Sequence, residues 1–345
     1  MASIGPPDRT TSNISNIYHD GGGGGRINGK DILIFSDGIY TDGAVPNVDN
    51  TAHWRNFTSN SIALSGCNSD SVNRLCDFGT AEKGPFEQIP YFPDEDSQKA
   101  AIWPNQGIAT LCDGTCGVSF PVVVNRTESA AGRNGDLYNT GIKITLSGDR
   151  PVVERLTRSL FVKGEPLYGS FGTLVGVDGY LYMFASITHL DNGVNGLRMA
   201  RVPQGSWSVR GAYQFWSGTE WTAAVPAYDD DGKANIFHWS ESLDGVAYGP
   251  GTRDLFFSPY YGCHILLFMS LCGIVYLSYN TGADLSKGWS TPKAIYTMPP
   301  VTGGYNYAFH AYGNYDPSGK VVPISWSRWS STESYSVYMA NVDFS

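Results

Sequence analysis

Charged side chains are scarce in this sequence of 345 residues. Asp, Glu, Lys and Arg make up 16% of it, against about 25% in a typical soluble domain. There is no run of basic residues and the formal net charge is −9, so nucleic acids and anionic membrane surfaces are poor partners. No apolar run approaches the ~20 residues that a membrane-spanning helix needs.

Helical periodicity is almost absent as well. Short alternating or wholly apolar runs are separated by Gly, Asn, Asp and Pro, which is typical of an all-β sandwich, barrel or propeller. The sequence instead holds 41 Gly, 21 Tyr and 9 Trp. This combination suits turn-rich sheets and aromatic faces that stack on sugar rings.

The six cysteines show no recurring Cys-x-x-Cys spacing and no histidine partners, so a zinc site is not indicated. They form three close pairs, which predict three local disulfides and an oxidising compartment: Cys67 with Cys76, Cys112 with Cys116, and Cys263 with Cys272. Buried free thiols are the alternative, above all for Cys263 and Cys272. Asn-x-Ser/Thr tripeptides at Asn13, Asn56 and Asn125 agree with this compartment. We therefore expect a mature secreted, extracellular protein whose leader has been removed.

One strand scheme recurs about every 65 to 70 residues. It is clearest in "GSFGTLVGVDGYLYMFASITHL", "RDLFFSPYYGCHILLFMSL" and "YAFHAYGNYDPSGKVVPISWSRW", and two more units fit upstream. The repeat predicts a five-bladed β-propeller with four-stranded antiparallel blades around a central channel; a stacked sandwich is the alternative. We expect residues 1–25 to be an N-terminal segment ending in a glycine-rich loop, and residues 26–345 to form the propeller as a single catalytic domain.

The stretch "DILIFSDGIYTDG" places a carboxylate, Asp37, at the end of an apolar strand. If that strand is the innermost of the first blade, Asp37 lies at the mouth of the channel. The corresponding positions of the other units carry polar and aromatic residues, which indicates one composite site: Trp103, Asn105, Gln106, Phe171, Arg253, Asp254 and His310. An Asp-Gly turn is the alternative explanation of Asp37.

The sequence also resembles a family long catalogued as a domain of unknown function, some members of which are five-bladed propeller glycoside hydrolases, including endo-D-arabinanases. The resemblance is carried by "INGKDILIFSDGIY", "NSIAL", "AIWPNQGIA", "LRMARVP", "YQFWSGTEW", "FFSPYYGCHILLFM" and "GYNYAFHAYGNYDPSG". It departs at Ser36-Asp37-Gly38, where the family has Gly-Asp-Thr, and at Arg253-Asp254, where a glutamate is expected. The resemblance implies a glycoside hydrolase acting on cell-wall arabinan. The glycosylation and cysteine patterns suggest a fungal source.

Glycoside hydrolysis requires two carboxyl groups, one to protonate the leaving oxygen and one to act as nucleophile or to activate water. Asp37 is our first candidate, as general base or nucleophile. Asp254, Asp49 and Glu241 are the candidate partners. Arg253 beside Asp254 would lower the pKa of that acid, which suits a base.

The candidate substrate-binding residues are aromatic, histidine, amide and arginine side chains near the expected mouth: Trp54, His53, Trp103, Asn105, Gln106, Phe171, Arg253 and His310. Trp54, Trp103 and Phe171 would be stacking platforms for sugars; packing between blades is the alternative for each. His310 would orient a carboxylate or bind a sugar hydroxyl, or else be a hydrogen-bonded core residue.

These features favour a secreted glycoside hydrolase acting on a cell-wall or plant polysaccharide, with arabinan or arabinogalactan preferred. The alternatives are a polysaccharide lyase using His, Tyr and Arg, and a propeller lectin. We expect a monomer with no cofactor and no catalytic metal, although a structural calcium ion is compatible with the channel. "GGGGG" lacks the strand and helix that a phosphate-binding loop requires.

Overall fold

The computed structural model describes residues 3–47, 49–67, 71–104, 107–131, 135–187, 195–228, 230–239, 242–243, 246–247, 253–270 and 273–344. The first half of the described chain contains these strands: β1 (Ser3–Ile4), β2 (Asp8–Arg9), β3 (Thr11–Ser12), β4 (Ile17–His19), β5 (Gly23–Ile27), β6 (Lys30–Phe35), β7 (Gly38–Thr41), β8 (Trp54–Thr58), β9 (Ser61–Ser65), β10 (Arg74–Asp77), β11 (Gly79–Thr80), β12 (Gly84–Pro85), β13 (Ala100–Trp103), β14 (Ala109–Leu111), β15 (Cys116–Ser119), β16 (Val122–Asn125), β17 (Asp136–Ser147) and β18 (Arg150–Val162).

The second half continues with strands alone and short helical turns: β19 (Gly172–Val175), β20 (Tyr180–Ile187), β21 (Asn195–Pro203), β22 (Gln214–Trp216), β23 (Trp221–Thr222), β24 (Phe237–Trp239), β25 (Ser242–Leu243), β26 (Val246–Ala247), β27 (Arg253–Ser258), β28 (Cys263–Met269), β29 (Ile274–Asn280), β30 (Lys293–Thr297), β31 (Gly304–Ala311), β32 (Val321–Ser330) and β33 (Ser336–Asp343). The α-helix in the described ranges is α1 (Arg126–Ala130), and 3-10 turns occupy Thr51–His53, Cys112–Gly114, Gln204–Ser206 and Arg210–Ala212. The predicted all-β class is confirmed.

Most strands belong to five sheets, in the following orders of hydrogen-bonded neighbours: sheet I, β3-β10-β9-β6-β5; sheet II, β13-β16-β17-β15-β14 with β18 beside β17; sheet III, β19-β20-β21-β22-β23 with β24 beside β21; sheet IV, β27-β28-β29-β30; sheet V, β1-β33-β32-β31 with β2 beside β33. A smaller sheet, β4-β7-β8, and two hairpins complete the described strands. Hydrophobic clusters fill the spaces between neighbouring sheets; one joins sheets II and III and another joins sheets IV and V.

One edge strand of each large sheet lies innermost: β5, β14, β19, β27 and β31. Successive inner strands contact one another from β5 through β14, β19 and β27 to β31. A narrow pocket is lined by a residue on or beside each of the five: Gly24, Ile108, Thr173, Asp254 and Ala311. The five sheets therefore converge on a common channel.

Three of the five glycines, residues 23–25, belong to strand β5, so the expectation of a glycine-rich loop was wrong for these three residues. Gly23 pairs with Ile34 and Ile27 with Lys30, which makes β5 the inner strand of sheet I and β6 the second strand. Close packing explains Gly24 and Gly25. A Cβ on Gly25 would lie 2.4 Å from the carbonyl oxygen of Ile108, and one on Gly24 would lie 2.6 Å from the hydroxyl of Tyr315.

The N-terminal segment connects sheet V with sheet I. Ser3 pairs with Asp343 and Asp8 with Met339 on β33, whereas β3 pairs in parallel with β10 of sheet I. These additions, together with extra strands in sheets II and III, correct the expectation of uniform four-stranded antiparallel sheets; sheet IV alone among the five has four strands. The division of the chain at residue 26 stays a prediction.

Two of the three predicted disulfides are present, Cys67–Cys76 and Cys112–Cys116. The third prediction was wrong, because Cys263 is a buried free thiol. Cys263 begins the seven-residue strand β28, and at ~3.3 Å per residue such a strand carries the chain about 20 Å away from its start. Cys272 lies outside the described residues. Within those residues, no helix is long and apolar enough to cross a membrane.

Candidate active site

Asp37 lies where a long hairpin changes sheets. Strands β5 and β6 pair in sheet I, whereas β4 and β7, their continuations, pair in the small sheet. At the break, the amide of Asp20 donates to the carbonyl of Asp37 (2.7 Å), and the amide of Ser36 donates to the carbonyl of Asp20 (2.9 Å). Ser36 and Asp37 on one strand thus lie opposite the single residue Asp20 on the other, as in a β-bulge. Bulges redirect side chains and are common beside active sites.

Asp20 is the carboxylate that the hairpin brings to Asp37. Its Oδ1 accepts a hydrogen bond of 2.5 Å from the hydroxyl of Tyr307 on β31. The next residue, Gly21, donates its amide to the Oγ of Ser327 (2.9 Å). Sequence reasoning missed Asp20 because "HDGGGGG" was interpreted as a loop. Had β5 been recognised as the strand before β6, the residues opposite Asp37 would have been apparent.

The pKa values of the two carboxyl groups are both raised. Burial, and after it the nearby charge of Asp20, raise the pKa of Asp37 to about 8; a hydrogen bond from Trp103 opposes these effects. Burial raises the pKa of Asp20 to about 6, opposed first by its bond from Tyr307. At neutral pH the pair therefore holds one proton on Asp37, beside an ionised Asp20. A proton donor and a base or nucleophile are adjacent in this arrangement.

Aromatic side chains from two sheets flank the pair. Trp103, at the end of β13, donates its Nε1–H to Oδ1 of Asp37 (2.9 Å). On the other side, the ring of Tyr305 lies 5.4 Å from that of Tyr307 and stacks on Trp329 at 5.4 Å. Tyr305 is 50% exposed, so its ring is accessible to a ligand. We call the region around Asp20 and Asp37, where β5, β14 and β31 begin, the mouth.

Trp54 also lies near the mouth, because it packs against Tyr335. Its ring meets Tyr335 edge to face at 5.5 Å and stacks on Phe57 at 6.3 Å. The charges of Asp37 and Asp20 contribute, after burial, to raising the pKa of Tyr335. The Nε1–H of Trp54 is buried and has no hydrogen-bond partner within the described ranges. The structure thus places Trp54 and Trp103 on the same side of the molecule as Asp37.

A third carboxyl group near Asp37 was not predicted. Glu87 is exposed, and its charge contributes to raising the pKa of Asp37. Its Oε1 accepts hydrogen bonds from the Oγ of Ser59 (2.5 Å) and from Asn60 Nδ2 (3.3 Å). Glu87 follows the short hairpin of β11 and β12, which no periodic pattern in the sequence marks.

Asp254 and His310 form a separate pair inside the channel. Asp254 Oδ2 is 3.1 Å from Nδ1 of His310 and accepts the amide of Ala311 at 2.8 Å. Burial raises the pKa of Asp254, and His310 opposes the rise. His310 is 1% exposed, and its Nε2 has no hydrogen-bond partner in the part of the chain that the structure describes. The structure pairs Asp254 with His310, whereas Asp37 is paired with Asp20.

The other predicted residues either have described contacts with groups other than the carboxyl pair or lie outside the described ranges. Asp49 is exposed in a turn, where its amide is bound by Oδ1 of Asn47. His53 is exposed and bonds to Asp42 at 3.0 Å. Phe171 is buried in the hydrophobic cluster that joins sheets III and IV, so its ring faces are occupied by neighbours.

Asn105, Gln106 and Glu241 lie outside the described residues. The backbone of Arg253 begins β27, and its side chain is not among those described. In the described ranges, no group of three or more His, Cys, Asp or Glu residues is arranged to hold a metal ion.

No protein-family model and no curated protein sequence matches the chain. Several solved structures, in contrast, are similar to it. A Bacteroides ovatus protein assigned as a hydrolase has a TM-score of 0.66 at 14% identity, with 94% of this chain and 85% of that chain covered. The β-xylosidase RS223 has a TM-score of 0.54 at 10% identity, with 98% and 94% covered.

A third similar structure is CoXyl43, a family-43 β-xylosidase/α-arabinofuranosidase from a compost microbial metagenome in complex with xylotriose. Its TM-score is 0.51 at 12% identity, with 99% of this chain and 95% of that chain covered. At such identities the likeness shows the fold. The chain therefore shares the overall fold of these three structures.

Proposed function

We propose that the protein is a secreted glycoside hydrolase that cleaves a neutral cell-wall or plant polysaccharide, with arabinan- and arabinogalactan-type glycans favoured. The proposal rests above all on the pair of carboxyl groups, Asp20 and Asp37, held on opposed backbone positions at the mouth. The fold shared with glycosidases supports it. So does the likeness to CoXyl43, which is a β-xylosidase/α-arabinofuranosidase.

In the proposed reaction, Asp37 protonates the glycosidic oxygen and Asp20 acts as the base or nucleophile. The order of the pKa values supports these roles, because the group with pKa about 8 is the protonated one at neutral pH and the group with pKa about 6 is ionised. This assignment reverses the base or nucleophile role that the sequence suggested for Asp37. Tyr307 holds the ionised Asp20 by a charge-assisted hydrogen bond.

Five blades are part of the proposal. The support is the convergence of five inner strands, one from each large sheet, on one narrow channel. Pairing of the N-terminal strands with β33 would close the ring between the last and first blades. Secretion is supported by the two disulfides, which persist in oxidising compartments.

Hydrolysis of a glycan panel tests the proposal: arabinans, arabinogalactans, xylans and other cell-wall polysaccharides, incubated with wild type, Asp20→Asn and Asp37→Asn. We expect reducing sugars from wild type and a loss of at least about 100-fold in each variant, the low end of what one acid–base group contributes. Asp149→Asn is the matched control, because that carboxylate is 68% exposed in a turn. Circular dichroism of each variant verifies folding.

Other results would indicate a different function or a different active site. Products absorbing in the ultraviolet would indicate an unsaturated sugar and hence a lyase. Binding of a glycan without turnover would indicate a lectin. Full activity in both variants would remove the carboxyl pair from the mechanism, and loss of activity in a folded Asp254→Asn variant instead would move the site into the channel.

A further inference from the structure

A polar groove of about 260 Å³ lies beside the mouth, between the N-terminal segment and the start of β33. Residues 9–12 and 14–19 form one wall and residues 335–337 the other. The segment crosses from sheet V to sheet I, because Arg9 pairs with Tyr338 and Thr11 pairs with Arg74. The strand pairing at its ends therefore fixes this wall of the groove.

The groove adjoins the carboxyl pair. His19, the residue immediately before Asp20, lines it, and so does Tyr335. Tyr335 is close enough to both carboxylates for their charges to raise its pKa, after burial. The groove therefore reaches residues that neighbour the carboxyl pair, His19 in sequence and Tyr335 in space.

Hydroxyl groups dominate the walls. Thr10, Thr11, Ser12 and Ser15 line one side, and Ser336 lines the other. Ser336 is 2% exposed, and its Oγ is buried with no hydrogen-bond partner among the described residues. A buried hydroxyl without a partner is unfavourable, and a ligand hydroxyl in the groove would satisfy it.

The charge of the groove suits a neutral ligand. Among its lining residues, all of which are described, Arg9 is the one Lys, Arg, Asp or Glu. Its guanidinium lies 3.8 Å from Glu333 and 5.7 Å from the ring centre of Tyr18. At ~30 Å³ per water the groove holds on the order of eight waters, which a polyhydroxylated ligand could replace.

We propose that this groove is a binding subsite for sugar units of the polysaccharide beyond the cleaved bond, and that it makes the protein prefer long chains. The inference deepens the proposed function and rests on it. The ligand class is a neutral polymer rich in hydroxyl groups. Ser336 and Tyr18 are the specificity-determining residues.

The test compares Ser336→Ala and Tyr18→Ala with wild type on linear arabino-oligosaccharides of two to seven units. We expect kcat/KM for the longest chains to fall about two- to tenfold, the effect of one lost neutral hydrogen bond, through KM and without change in kcat. The disaccharide should be unaffected. Ser119→Ala is the matched control for Ser336→Ala, because its Oγ is also buried without a partner and it does not line the groove.

Equal losses on short and long chains, or the same loss in Ser119→Ala, would overturn the subsite. Calorimetric titration of the Asp37→Asn protein with the seven-unit chain separates this inference from the proposed function. Suppose that wild type shows no hydrolysis, that the Asp37→Asn protein binds the chain, and that adding Ser336→Ala weakens this binding. The subsite proposal is then supported and the proposed hydrolase function is refuted. If hydrolysis occurs without dependence on chain length, the proposed hydrolase function is supported and the subsite proposal is refuted.

Discussion

The indole of Trp103 on sheet II donates a hydrogen bond of 2.9 Å to the carboxyl group of Asp37 on the hairpin of sheet I. This contact joins two sheets at the mouth and acts on the group that we assign as the acid. The bond favours the ionised form of Asp37 and opposes the larger effects of burial and of Asp20. Trp103 is therefore placed to set the pH at which Asp37 loses its proton.

Replacing Trp103 with Phe should raise the pKa of Asp37 further. A hydrogen bond to a charged group contributes about 1.5–3 kcal/mol, so the increase should be about one to two units at ~1.36 kcal/mol per unit. If Asp37 is the acid, the pH above which activity declines should move upward by that amount. Carboxyl-carbon NMR titration measures the pKa directly, with the Asp37 signal assigned by its loss in Asp37→Asn. Trp216→Phe is the control, and an unchanged titration in Trp103→Phe would contradict the assignment.

The raised pKa of Asp37 also has a consequence for stability. Between pH 4 and about 8 the folded protein binds a proton that the unfolded chain, with its ordinary pKa of 3.8, releases. Stability must therefore fall as pH rises through this window. Asp37→Asn removes the effect, so it should raise Tm at pH 8 by about 2 °C or more and should leave Tm unchanged below pH 4. Thermal melts across this range test it, with Asp149→Asn as control. A variant that is less stable than wild type at pH 8 would contradict it.

The sequence predicted the all-β class and the position of Asp37 at the end of a buried strand, because alternation and turn residues are local signals. It misplaced β6 as the inner strand, because glycines at 21–25 carry no hydrophobic pattern. The role of Gly25, for example, depends on the close approach of Ile108, which is distant in sequence. The same error concealed Asp20, the residue that the hairpin places opposite Asp37.

The sequence also could not predict which side chains pair with each other across the channel. Asp254 and His310 were both singled out, and the structure joins them to each other; the expected approach of Asp254 to Asp37 depended on relative strand heights that no local pattern encodes. The error at Cys263 has a related cause, since two cysteines so close in sequence can form a disulfide only if the chain turns back between them.

The free thiol of Cys263 leads to a simple chemical prediction. Alkylation of the folded protein should leave Cys263 unmodified, because it is 6% exposed. Alkylation after unfolding in urea without reductant should modify it, whereas Cys67, Cys76, Cys112 and Cys116 should stay paired. Peptide mass spectrometry distinguishes these states, and a peptide linking Cys263 to Cys272 would contradict the structure.

The inner glycine strand gives the sharpest test of the fold. A Cβ on Gly25 would lie 2.4 Å from the carbonyl oxygen of Ile108, the residue immediately before strand β14 of the neighbouring sheet. Gly25→Ala should therefore force the two inner strands apart and reduce the free energy of unfolding by about 1–3 kcal/mol, the usual cost of overpacking. The midpoint of urea unfolding measures the loss.

Gly172→Ala is the matched control on another inner strand, β19, because a Cβ there meets no atom within 4 Å. Its midpoint should stay close to that of wild type. If both variants unfold at the wild-type midpoint, β5 does not pack against the segment of Ile108, and the convergence of sheets I and II at the channel would have to be abandoned. If Gly25→Ala alone is destabilised, close packing of the inner strands explains why residue 25 is a glycine.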